Sequence, residues 1–125
     1  MIKSQISQHL LTKTIFLLLV SLFLFSPTVN VNAMPLNQIE VEQKIKAIPR
    51  WQQKNQTITR TFSFKNFVEA IAFVNRLVEP AEAAGHHPDL EISYNKVIVS
   101  LTSHDAVGLT QKDFDLAKII STIAP

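Results

Sequence analysis

Three histidines, His86, His87 and His104, are the residues in this sequence whose type and spacing most directly suggest chemistry. An imidazole titrates near pH 6.5, so it can give or take a proton at neutral pH. A cluster of them suits acid–base catalysis. Three neutral imidazoles plus water also form a known zinc ligand set, and Glu82 is then a candidate fourth ligand. The adjacency of His86 and His87 disfavours that reading, because neighbouring side chains rarely reach one ion comfortably. A structural role is the other alternative. A histidine closing a helix, as His86 can, satisfies the last carbonyls and the helix dipole. The chain has no cysteine, so a thiol nucleophile is excluded and an oxidising destination adds no disulfide.

The elements around these residues bring them together. Leu90, Ile92 and Tyr94 alternate on one side of Asn95-Lys96, and Val97, Val99 and Leu101 on the other. This predicts a hairpin with its turn at Asn95-Lys96 and those six side chains facing the core. The register then pairs Tyr94 with Val97 and Leu90 with Leu101. Continued past Pro88, it places His87 opposite His104, where directly paired Cβ atoms lie about 4.5–5.5 Å apart. Upstream, Phe67, Ala70, Ile71, Val74, Leu77, Val78 and Ala81 form one face of a long helix. Asn66 and Glu69 resemble a capping box at its start, Pro80 predicts a kink, and Gly85 fits the left-handed closing position.

Two further helices and two further strands complete the expectation. Leu36, Ile39, Val41, Ile45 and Ile48 form a helical stripe that Pro49 ends. A short strand near Trp51 and a turn around Lys54-Asn55 lead into a strand with Ile58, Arg60, Phe62 and Phe64 on one parity. A last helix begins near Thr110, with Asp113 at its third position. The predicted order is α-β-β-α-β-β-α. This is an α+β fold in which a four-stranded antiparallel sheet carries its helices on one face. Trp51 and Tyr94 read as core rather than site.

The N-terminal third has a different composition. Lys3 and Lys13 precede the apolar run Ile15–Phe25, and Val31-Asn32-Ala33 offers small residues for cleavage. That pattern predicts a secretory signal peptide over residues 1–33. The run is short of the roughly 20 residues that a membrane span needs, which leaves an uncleaved anchor as the alternative. Cleavage after Ala33 leaves 125 − 33 = 92 residues, Met34 to Pro125, as one exported domain. Its charge is balanced, because 12 − 2 = 10 basic residues face 10 acidic ones. The absence of a basic excess argues against nucleic acid as a partner.

The spacing carries a family likeness. Glu82 is followed after three residues by His86-His87-Pro88, after five more by Tyr94, after nine by His104 and after eight by Asp113. Together with Trp51, the TFSFKNF stretch and SYNKVIVSLTSHDAVGLTQKD, this pattern resembles the pterin-4a-carbinolamine dehydratases over about Ile39 to Ile123. The resemblance implies a hydro-lyase that converts a 4a-hydroxytetrahydropterin to the quinonoid dihydropterin and water, without metal or cofactor. It implies His86 and His104 as the proton-transfer pair, with His87 holding and polarising the pterin. Glu82 and Asp113 then orient imidazoles or substrate, although Glu82 also reads as a solvated helix residue and Asp113 as a helix-start acid. A homodimer or homotetramer is expected on the same ground. Gly85 and Leu90 depart from common family residues, a polar and an aromatic one. A non-catalytic binding or interaction module on the same scaffold is the second expectation.

Overall fold

A computed structural model describes residues 34–124. The expected signal segment, 1–33, lies outside the described residues, as does Pro125. The elements are helix α1 (Gln38–Ile45), strands β1 (Gln52–Lys54) and β2 (Thr57–Ser63), helix α2 (Phe67–Ala84), strands β3 (Asp89–Ser93) and β4 (Lys96–Leu101) and helix α3 (Gln111–Ile123). A 3₁₀ turn, His104–Ala106, separates β4 from α3. The order and the α+β class are those expected. The sheet is antiparallel with strand order β1-β2-β4-β3, and its apolar face packs against α2 and α3.

Helix α1 starts with a full capping box. Asn37 accepts from the Glu40 N–H, and the Glu40 carboxylate accepts from the Asn37 N–H. It buries Val41, and Ile48 is buried just beyond its end. Ile39, expected in the stripe, is instead exposed, because it lies on the opposite side of the helix from Val41. On β2 the expected parity holds. Ile58, Phe62 and Phe64 are buried, while Arg60 on the same face is half-buried with its guanidinium 4.2 Å from the Phe62 ring centroid. Arg60 and the buried Trp51 both donate to Ser121 Oγ on α3, at 3.1 and 2.9 Å. The indole is therefore core with a satisfied N–H.

Helix α2 buries Ala70, Phe73, Leu77 and Ala81, a stripe of i, i+3, i+4 spacing. The expected face is rotated from this one. Phe67 and Val78 are exposed, while Phe73, not among the expected residues, is fully buried between Phe62 and Phe64. Tertiary packing of three phenylalanines decides which side of a largely apolar helix turns inward. Asn66 caps the Glu69 N–H, but Glu69 reaches back to the Lys65 N–H rather than to Asn66, so the box is displaced by one residue. The helix continues past Pro80 to Ala84, and Gly85 closes it at φ 53° and ψ 41°.

The β3–β4 hairpin differs from its expected register. Ser93 pairs with Lys96, Ile92 with Val97 and Leu90 with Val99. The turn is thus Tyr94-Asn95, one residue earlier than expected, with Tyr94 at φ 52°. Moving a two-residue turn by one shifts every pair by two. A two-residue shift preserves which face each side chain occupies, so Val97, Val99 and Leu101 still face the core at 0% exposure. Leu90, Ile92 and Tyr94 do not, being 38%, 40% and 68% exposed. The first two sit on the edge strand, where Leu90 shares a shallow apolar pocket with Val74, Leu77, Val78 and Ala81 of α2, and Tyr94 occupies the turn itself. The first hairpin is displaced too, with its turn at Asn55-Gln56.

Candidate active site

The end of the sheet where β4 leaves and β3 begins is where the histidines gather. Gly85 reverses the chain after α2, and the N–H groups of Gly85 and His86 close onto the carbonyls of Glu82 and Ala81. This fixes the backbone of His86 at the helix end. On the opposite side, the segment after β4 turns through His104–Ala106 and Val107, the latter at φ 52°. It is pinned by the antiparallel bridge between Ser103 and Gly108. Between these two turns lies a cleft of about 520 Å³ whose lining includes His86, His87, Ser103, His104, Thr110 and Lys112. That volume falls within the usual range for small-molecule sites. The direct pairing of His87 with His104 is not formed, since the ladder ends at Asp89. The two residues meet as walls of one cleft instead.

Each imidazole stands against a carboxylate. His86 Nε2 is 2.7 Å from Asp113 Oδ1, in a pair whose side chains are 10% and 0% exposed. His87 Nε2 is 2.8 Å from Glu82 Oε1, with both groups largely in water. His104 Nε2 is 3.8 Å from Asp89 Oδ2, again exposed. Only the first pair is shielded, so only there is the interaction protected from solvent screening. The sequence reading placed Glu82 and Asp113 at the site and missed Asp89. Its only signal was position, directly after Pro88 at the mouth of the hairpin.

Asp113 is the best-anchored residue of the group. Its Oδ2 accepts from the Thr110 N–H at 2.7 Å and from the Ser103 hydroxyl at 2.9 Å. The Thr110 hydroxyl lies 3.3 Å from the same oxygen and 2.8 Å from Ser103 Oγ. Asp113 is therefore a helix-start acid, as one reading held, and a partner of His86 as well. With Oδ2 occupied by donors, Oδ1 is left to accept from His86 Nε2–H. A hydrogen bond of this kind at one ring nitrogen selects the tautomer of the neutral ring.

Among the described residues no three His, Asp or Glu side chains converge as a metal ion requires. His86 and His87 each present Nε2 to a carboxylate rather than to a common point. Also among the described residues, no helix is long and apolar enough to cross a membrane.

Comparison with known proteins gives the same likeness from independent directions. The family model described as pterin 4 alpha carbinolamine dehydratase matches residues 34–123. A protein of Picosynechococcus sp. is 62% identical over 85 residues, spanning 68% of this chain and 92% of its own. One from Cyanothece sp. is 58% identical over 92 residues, spanning 74% and 95%. Both carry pterin-4-alpha-carbinolamine dehydratase as a provisional name. A crystal structure of a transcriptional coactivator/pterin dehydratase from Brucella melitensis superposes with a TM-score of 0.70 at 33% identity, covering 73% of this chain and 99% of that one.

Proposed function

We propose that this chain, which belongs to the pterin 4 alpha carbinolamine dehydratase family, dehydrates a 4a-hydroxytetrahydropterin by histidine acid–base catalysis. The observation that carries the reading is the cleft itself. Three imidazoles line one cavity, and one of them is shielded and oriented by a buried carboxylate. The reaction needs a proton delivered to the C4a hydroxyl, which leaves as water, and a proton removed from N5, which leaves a C4a=N5 double bond. Two proton transfers need two groups that titrate near neutrality, and positioned groups of this kind typically contribute on the order of 10²–10⁴ in rate each.

In this scheme His86 takes the N5 proton through Nδ1, with Asp113 holding the tautomer. His104, exposed on the 3₁₀ turn, delivers a proton to the hydroxyl. His87, backed by Glu82, holds and polarises the pterin ring. No metal or cofactor takes part. Export fits the reading of residues 1–33 as a signal peptide cleaved after Ala33, with residues 34–125 as the working domain. A homodimer or homotetramer fits the outer edge of β3, unpaired among the described residues, and the exposed Leu90 and Ile92 beside it, since an open apolar strand edge is usually covered.

Stopped-flow dehydration of a freshly generated 4a-carbinolamine, with the spontaneous rate subtracted, tests the activity. Catalysis above background by residues 34–125 is expected. A rate equal to background, together with tight binding of the substrate or of a protein partner, supports the binding-module reading instead.

A further inference from the structure

We propose that Ser103 is a positioning residue that sets the proton-accepting strength of His86 through Asp113, an inference that rests on the acid–base reading of the cleft. Ser103 lies where three constraints meet. Its hydroxyl donates to Asp113 Oδ2 at 2.9 Å, and its oxygen is 2.8 Å from the Thr110 hydroxyl. Its backbone N–H and carbonyl bond with Gly108, which closes the turn that carries His104.

The hydroxyls form a directed chain. Thr110 Oγ1–H donates to Ser103 Oγ, and Ser103 Oγ–H donates to Asp113. A hydroxyl has one proton, so while Ser103 gives it to the carboxylate its oxygen can only accept from Thr110. Chains of this kind polarise one another, which makes the terminal bond to the carboxylate stronger than an isolated one. The carboxylate is fully buried, so donors replace water as the means of spreading its charge. Removing one donor concentrates charge on Asp113, and the remaining partner, His86, then holds its proton more tightly.

The sign follows. A base must be neutral to act, so a more tightly held proton moves the acid limb of the kcat profile to higher pH. Other charged groups around the ring are Glu82 and His87 at the end of α2, Asp89 on β3, His104 and Asp105 on the 3₁₀ turn, and Lys112 on α3. None of them hydrogen-bonds Asp113, so loss of the Ser103 hydroxyl leaves their pairings in place. The shift therefore reports the Ser103–Asp113–His86 line and not a general change of field.

The experiment compares Ser103→Ala and Ser103→Thr with the wild-type chain, using kcat against pH and the pH dependence of the His86 ring ¹⁵N spectrum. In Ser103→Ala the acid limb of kcat moves to higher pH, so kcat is lost on the acid side of the profile and recovers on its alkaline plateau. KM changes little, and the ring spectrum moves in the same direction. Ser103→Thr, which keeps the hydroxyl, restores both. Two results overturn the proposal: an unmoved profile and spectrum in Ser103→Ala, or equal impairment of the Ala and Thr variants, which assigns Ser103 to packing of the turn. The ring spectrum is read without turnover. A shifted spectrum in a chain without dehydratase activity sinks the catalytic reading and leaves the Ser103–Asp113–His86 coupling standing.

Discussion

His86 Nε2 meets Asp113 Oδ1 at 2.7 Å across the junction between the C-terminal end of α2 and the first turn of α3. The pair lies 27 positions apart in the chain, and the whole β3–β4 hairpin lies between them. The β3–β4 hairpin and the 3₁₀ turn lead the chain back so that the first turn of α3 faces the helix end. The α2 closure at Gly85 and the Asp113 contacts with Thr110 and Ser103 hold each side in place. The site is thus a consequence of two helix termini meeting, one ending in a histidine and the other beginning with an acid.

Asp113→Asn tests what that contact does. The Thr110 N–H and the Ser103 hydroxyl both point donors at the Oδ2 position. The amide oxygen must settle there, which turns the amide NH₂ toward His86 Nε2. The imidazole then gives up its Nε2 proton and carries it on Nδ1, the nitrogen assigned to proton acceptance. A fall in kcat of roughly 10²–10⁴ with little change in KM is expected from this reversal. Steady-state kinetics with ring ¹⁵N shifts checks both halves. A variant with normal kcat and a reversed tautomer contradicts the assignment of Nδ1.

Gly85→Ala probes the helix closure beneath His86. The position has φ 53°, and a Cβ placed there meets nothing within 4 Å. The penalty is therefore the backbone cost of a left-handed residue, about 1 kcal/mol, rather than a clash. Chemical denaturation should show a loss of that size with the activity of the folded fraction preserved. A loss several times larger implies that the closure itself rearranges.

Metal dependence separates the acid–base scheme from the zinc alternative. Exhaustive dialysis against a strong chelator should leave the rate unchanged. Loss of activity that zinc restores transfers the three histidines from proton transfer to metal ligation.

Much of this architecture was legible in the sequence, and the errors have physical causes. The element order follows from period and punctuation, and the β2 parity from Ile58, Phe62 and Phe64. The hairpin turn was displaced because Asn95 is the residue expected to begin a tight turn, whereas Tyr94 takes the left-handed conformation that a bulky side chain rarely adopts. The inward face of α2 is not legible in its pattern because nearly every side of it carries an apolar residue, and Phe62 and Phe64 on the sheet select Phe73. At the site, the histidines were visible by type, and Asp113 and Glu82 by family spacing. Ser103 and Asp89 were not, because a serine before a histidine and an aspartate after a proline acquire meaning only when the turn brings them to their partners.

The most direct test is the turnover of His86→Ala, His87→Ala and His104→Ala with a 4a-carbinolamine, measured by stopped flow after subtraction of the spontaneous reaction. His87 and His104 are exposed, so their variants are expected to remain folded, whereas His86→Ala unpairs the buried Asp113 and costs stability; circular dichroism establishes the folded fraction of each before kinetics. The account predicts a loss in kcat of roughly 10²-fold or more for His86→Ala and His104→Ala, about 2.7 kcal/mol of barrier each. The double variant should be less than additive, and the loss in His87→Ala should appear mainly in KM. Near wild-type turnover in all three variants contradicts the account and makes the histidine cluster structural.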